Sequence, residues 1–258
     1  MISSGKYSNH RTCLAITFGL KKDILVIYQH FNAKLVAYLE KIEKEFIEQF
    51  SSCHAIGNAL LIGNSRQSHL LKGCHCQHRY LFCENYPKSH PQISPICLGH
   101  FTELPYAKES IDLVILPHVL EFSNRPKEML GQIFNTLSKR GALLLFSFLP
   151  STRFSLANKN TPPPFLSPHA IKQLLTQVGL EIIATQSFFS PLTHTLENKF
   201  MKLIDAAIAS YLPFLCKANL IVAQKTSIPA TPIPLKSFAI PTIMTALEGG
   251  CRNQLGNP

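Results

Sequence analysis

Thiols and imidazoles crowd one stretch of the chain: Cys74-His75-Cys76-Gln77-His78, with Cys83, His90, Cys97 and His100 downstream. Four such ligands in a tetrahedron would hold zinc, but structural zinc sites generally draw on C-x(2–4)-C pairs, and this run offers C-x-C-x-H. Alternation through Cys76–Cys83 also reads as entry to a strand, which would send adjacent ligands to opposite faces. No metal is expected. A second candidate is His118, just after the apolar run Ile111–Leu116. It is placed either to act as a general base at a cleft mouth or to satisfy the turn that follows. Glu84 closes the run Arg79–Cys83, where a carboxylate can accept from a pair of hydroxyls or stand as a solvated loop acid. Gly63-Asn64-Ser65 follows another apolar run and suits a sharp turn, because glycine frees φ and asparagine tolerates the left-handed region.

These residues need a scaffold that brings strand ends together. Ala55–Asn64, with Ala59–Ile62 at its centre, reads as a first strand, Arg79–Cys83 as a second and Pro95–Leu98 as a brief third. Gln67–Leu71 fits a short helix that Gly73 ends. Ile111–Leu116 (IDLVIL) is almost continuously apolar, as a strand covered on both faces should be, and Pro117 ends it. A helix from Pro126 to Leu137 carries Met129, Leu130, Ile133, Phe134 and Leu137 on one stripe. Arg140-Gly141 then turns into the strand Ala142–Phe148. A strand–helix–strand unit of this kind is a right-handed parallel crossover. Asp112 lies at the beginning of its strand, away from the cleft, and reads as structural.

Upstream, Ala33–Phe50 is a helix with Leu35, Leu39, Ile42, Phe46, Ile47 and Phe50 on one face and Glu/Lys residues on the other. Downstream, Leu149–Leu166 is a long proline-bearing loop in which Arg153, Phe154 and Lys159 are candidates to face a substrate. Ser167-Pro168 starts a helix with Ile171, Leu174, Leu175 and Val178 inward, and Gly179 stops it. Leu180–Phe189 is a strand, Leu196–Leu212 a helix and Asn219–Gln224 the last strand. Residues 1–30 read as an extension, 31–226 as one domain and 227–258 as a proline-rich tail.

Leu104-Pro105-Tyr106, Ser110-Ile111-Asp112-Leu113-Val114 and Leu137 to Leu143 resemble, in order, the late part of class I S-adenosylmethionine-dependent methyltransferases of the type 11 group. Leu116-Pro117-His118-Val119-Leu120-Glu121-Phe122 resembles a bacterial subgroup of them. The resemblance implies an α/β Rossmann-like three-layer sandwich, with a mostly parallel seven-stranded sheet and an antiparallel last strand. It implies S-adenosyl-L-methionine as cofactor, with Ala33–Phe50 covering one side of the cleft. Gly63, Asn64 and Ser65 would form the cofactor loop, and Glu84 would meet the ribose. Where many family members carry an acid and a small or apolar residue lining the adenine pocket, this chain has His100 and Phe101. The histidine could hydrogen-bond the base, and the phenylalanine could stack on it or only fill the core. Pro117 would form the wall beneath the methyl group. The chain departs from the family's [DE]-x-G-x-G-x-G loop: Leu61 stands for the acid, and Ser65 and Gln67 for the later glycines. Methyl transfer to an unidentified acceptor and an inactive methyltransferase-like binding or scaffold protein are the two readings that follow.

Composition sets the remaining bounds. The 258 residues are 46% hydrophobic and 16% charged, which fits a globular chain rather than a disordered one. The formal charge of +10 is scattered, so RNA is a weaker candidate partner than a small-molecule acceptor. Eight cysteines in mostly apolar surroundings suit a reducing compartment, and no apolar run reaches the ~18–20 residues of a membrane span. A cytoplasmic location is the expectation.

Overall fold

β-Branched and leucine-rich runs dominate the centre of the chain, and they pair as one sheet. The computed structural model describes residues 33–84, 95–149, 166–188 and 216–225. The seven strands are β1 (Ile56–Ile62), β2 (Cys76–Cys83), β3 (Ile96–Leu98), β4 (Ile111–Pro117), β5 (Leu137–Phe148), β6 (Leu180–Phe188) and β7 (Ala218–Lys225). Their order across the sheet is β3-β2-β1-β4-β5-β7-β6. β1 pairs in parallel with β2 and β4, β2 with β3, and β4 with β5. β7 inserts antiparallel between β5 and β6. This is a Rossmann-like sheet with its last strand reversed, as expected.

Burial explains the composition of the central strands. Leu113 to Leu116 of β4 and Leu143 to Phe146 of β5 are fully buried, each large side chain contributing roughly 1.5–3 kcal/mol of transfer free energy. At the opposite end of β4, Asp112 Oδ2 accepts from the backbone N–H groups of Gly57 (3.1 Å) and Asn58 (3.0 Å), and Oδ1 from Ser138 Oγ (2.9 Å). It is a three-strand staple, remote from the strand ends where ligands bind in open α/β sheets.

Helix α1 (Ala33–Ser52) packs on a 3-10 helix over Ser65–Gly73. Its Phe46 meets Phe188 of β6 edge-on at 5.3 Å. Helix α2 (Pro126–Thr136) buries Met129, Leu130 and Ile133 and packs on α3 (Pro168–Val178), which packs on β6. In α3 the local chemistry is met at both ends. Ser167 Oγ accepts from Ala170 N, Pro168 opens the helix, and Gly179 closes it at φ 94°.

Three expectations need correction. β2 begins at Cys76 rather than Arg79, because pairing with Ile56 recruits the polar residues before the apolar core. The turn expected at Arg140-Gly141 lies inside β5, which starts at Leu137: Leu137 pairs with Ile111 and Ala142 with Leu113, so the intervening residues form a bulge. The Glu/Lys face of α1 is also incomplete, since Glu43 is fully buried. The extension 1–30, His90, the segment carrying Arg153, Phe154 and Lys159, the helix Leu196–Leu212 and the tail 227–258 lie outside the described residues.

Candidate active site

The carboxyl ends of β1, β2, β3 and β4 gather the predicted residues into two groups. The first surrounds Gly63. Its N–H donates to Phe82 O of β2 (3.0 Å), and a Cβ in its place would lie 2.8 Å from Gln67 Oε1 and 3.5 Å from Pro117 Cγ. Asn64 caps the 3-10 helix, its side chain accepting from Arg66 N at 3.1 Å. Ser65 Oγ bonds Asn64 Oδ1 at 3.4 Å. Gln67, 1% exposed, accepts the Asn64 N–H at Oε1 (3.1 Å) and donates from Nε2 to Pro117 O (3.2 Å). Gly63, Asn64, Ser65 and Pro117 are therefore neighbours, with a glutamine amide wedged among them.

The second group is at the end of β2 and β3. Glu84 Oε1 accepts from Phe101 N (3.4 Å) and lies 4.0 Å from Nδ1 of the exposed His100. Burial raises the Glu84 carboxyl above its ordinary range, against the lowering by the Phe101 N–H and His100. Phe101 is buried, its ring tilted on Phe82 with centroids 6.1 Å apart. Glu84, His100 and Phe101 thus form one corner, with the carboxylate half-buried.

His118 belongs to neither group. It follows Pro117 at φ 54°, a left-handed conformation that histidine tolerates better than most residues. Its side chain is fully buried, with Nε2 2.6 Å from Glu43 Oε1 of α1 and Nδ1 3.9 Å from Glu121 Oε1. The ring stacks on Phe148 at 3.8 Å, and Glu121 Oε1 also accepts from Phe148 N at 2.6 Å. Burial lowers the imidazole's affinity for a proton, but the Glu43 carboxylate and then Glu121 outweigh it and push the pKa to about 9. At 3.9 Å, Glu121 acts through its charge rather than through a hydrogen bond. Buried and clamped, the imidazole ties α1 to the end of β4.

Glu43, Gln67 and Glu121 were not among the predicted site residues. Glu43 carries a readable signal, since it falls on the apolar stripe between Leu39 and Phe46. Gln67 stands at a loop position where the family carries glycine. Glu121 has no local signal. The described cysteines are all free, and burial pushes the thiols of Cys74 and Cys83 up to about 12. Among the described residues, no three His, Cys, Asp or Glu side chains are arranged to hold a metal.

A family model described as "Methyltransferase domain" matches residues 77–145, from β2 through most of β5. A SAM dependent methyltransferase from Archaeoglobus fulgidus superposes with a TM-score of 0.55 at 17% identity, covering 73% of this chain and 94% of its own. The fold is that of the class I methyltransferases. A chain of the Haloferax volcanii complex between the Trm112 methyltransferase activator and a methyltransferase superposes at 0.51, with 13% identity, 76% of this chain and 97% of its own. The [4+2]-cyclase SpnF does so at 0.53, with 12% identity, 72% of this chain and 80% of its own. SpnF shares the methyltransferase fold while its name gives a cyclase, so the fold by itself does not choose the reaction. No curated protein matches the chain in sequence.

Proposed function

We propose that this methyltransferase-fold domain binds S-adenosylmethionine across the carboxyl edge of β1, β2 and β4 and transfers its methyl group to an acceptor, with a small molecule favoured. The matched domain and the SAM-dependent neighbour support that cofactor. The carrying observation is Glu84, a half-buried carboxylate at the end of β2 with, among the described residues, only one oxygen engaged by the backbone. Such a group can take the two hydroxyls of a ribose. The exposed His100 beside it would meet the base, the buried Phe101 supports that corner from the core, and Gly63, Asn64, Ser65 and Pro117 lie toward the other end. Transfer from a sulfonium mainly requires alignment and exclusion of water, so the chain needs no nucleophile of its own. His118 would position α1 rather than act as the base.

The residues fit the adenosine end of the cofactor better than its amino-acid end, where Gln67 fills the space beside Gly63. That observation favours the second reading, a methyltransferase-like binding or scaffold protein without turnover. Calorimetric titration with S-adenosylhomocysteine tests the binding that the first reading requires. Wild type should bind, and Glu84→Ala should bind about tenfold more weakly or worse, as loss of a charged hydrogen bond implies. No heat from wild type at high micromolar ligand would overturn the cofactor reading. RNA association rests on the scattered charge and would have to show a steep salt dependence. No helix among the described residues is long and apolar enough to cross a membrane, and we place the protein in the cytoplasm on its cysteine usage.

A further inference from the structure

An amino-acid head group presents two complementary partners: a carboxylate that accepts and an ammonium that donates. At the Gly63 loop the backbone offers the matching pair, the Asn64 N–H and the Pro117 carbonyl. The amide of Gln67 already engages both, accepting from the first at 3.1 Å and donating to the second at 3.2 Å. Its Oε1 sits where glycine leaves a cradle, 2.8 Å from the place a Cβ on residue 63 would take. Helix capping accounts for the first bond, since a glutamine three residues after the cap commonly returns to the cap's N–H. It does not account for the second, which crosses from the β1 loop to the end of β4. The sheet order β3-β2-β1-β4 puts this amide on the far side of Glu84 from His100 and Phe101. A nucleoside whose ribose meets Glu84 and whose base lies beside His100 would direct its 5′ substituent toward Gln67.

We propose that Gln67 is an intramolecular occupant of the subsite for the cofactor's amino-acid end, so that the cleft favours 5′-thioadenosines lacking that end. The proposal rests on the nucleoside-binding reading above. A ligand carrying the amino acid has to displace both bonds, and one that stops at the thioether does not. Loss of two neutral hydrogen bonds corresponds to about tenfold in affinity or more.

The test is calorimetry with S-adenosylhomocysteine and 5′-methylthioadenosine on wild type, Gln67→Ala and Gln67→Gly, the last restoring the residue the family carries there. The wild-type comparison needs no substitution, so it decides the proposal even where a variant fails to fold. Wild type should not prefer S-adenosylhomocysteine. A folded Gln67→Ala or Gln67→Gly should tighten it about tenfold while 5′-methylthioadenosine stays within about twofold. A wild type that prefers S-adenosylhomocysteine by about tenfold, or a folded variant that shifts both ligands equally or neither, overturns the proposal while leaving nucleoside binding intact. Failure of all three proteins to bind either nucleoside overturns the nucleoside-binding reading as well.

Discussion

His118 shows how far a residue's surroundings can redirect its chemistry. In sequence it stands where a base would stand. In the structure it is buried between Glu43 and Glu121, whose charges favour the protonated ring, and it stacks on Phe148. Removing one partner of such a pair leaves a charge without compensation, so Glu43→Ala should cost about 3–5 kcal/mol in urea unfolding. The sign of the pH dependence follows from the raised imidazole pKa. The folded protein binds that proton more tightly than the unfolded chain, so the contribution is complete below about pH 6.5. It is lost as pH rises through about 9. Wild-type stability should fall across that window and the Glu43→Ala profile should be flatter; parallel profiles would remove His118 as the titrating group. Glu43 was partly legible as an acid on an apolar stripe. Its partner, 75 positions away, was not, because the pairing exists only once α1 docks on the sheet. Gln67 was legible as a departure from a glycine pattern, whereas its bond to Pro117 depends on the distance between two strand ends.

At the scale of elements, legibility follows locality. Ser167, Pro168 and Gly179 bound α3 through their own backbone preferences, and the helix lies where those residues put it. The continuous apolar run of β4 likewise needs no partner to be read. The start of β5 does need one. A bulge is counted against the opposing strand, so Arg140-Gly141 looks like a turn in isolation and becomes part of a ladder beside β4. Gly179 offers a test of the local case. At φ 94° an added Cβ is strained, and it would lie 3.3 Å from the Phe134 ring of α2. Gly179→Ala should therefore cost about 1–2 kcal/mol. That corresponds to a Tm lower by roughly 2–8 °C in thermal unfolding. An unchanged Tm would mean that the α3–β6 corner relaxes freely.

Across the whole molecule, the strand order does what no single segment announces. Among the described residues β6 pairs with β7 alone and reaches β5 only through it. A chain ending at Lys217 should keep β1 to β5 and lose the packing of α3 and β6. Limited trypsin digestion should then cut at Lys172 far faster than in the full chain, and equal protection would show that α3 and β6 hold on without β7. Resemblance to a known family made this arrangement expectable, whereas periodicity alone could not order the strands, since any apolar strand can sit beside any other.

The insertion of β7 also sets a hazard during synthesis. Strands are made from the N-terminus onward, and β1 to β5 can pair as soon as they emerge, which leaves the hydrogen-bonding edge of β5 bare until Ala218–Lys225 arrives. That edge carries Leu143, Leu144, Leu145 and Phe146 in succession, the kind of unpaired apolar strand that templates aggregation. Between the appearance of Phe148 and that of Lys225, the nascent chain is a ready acceptor for any stray strand.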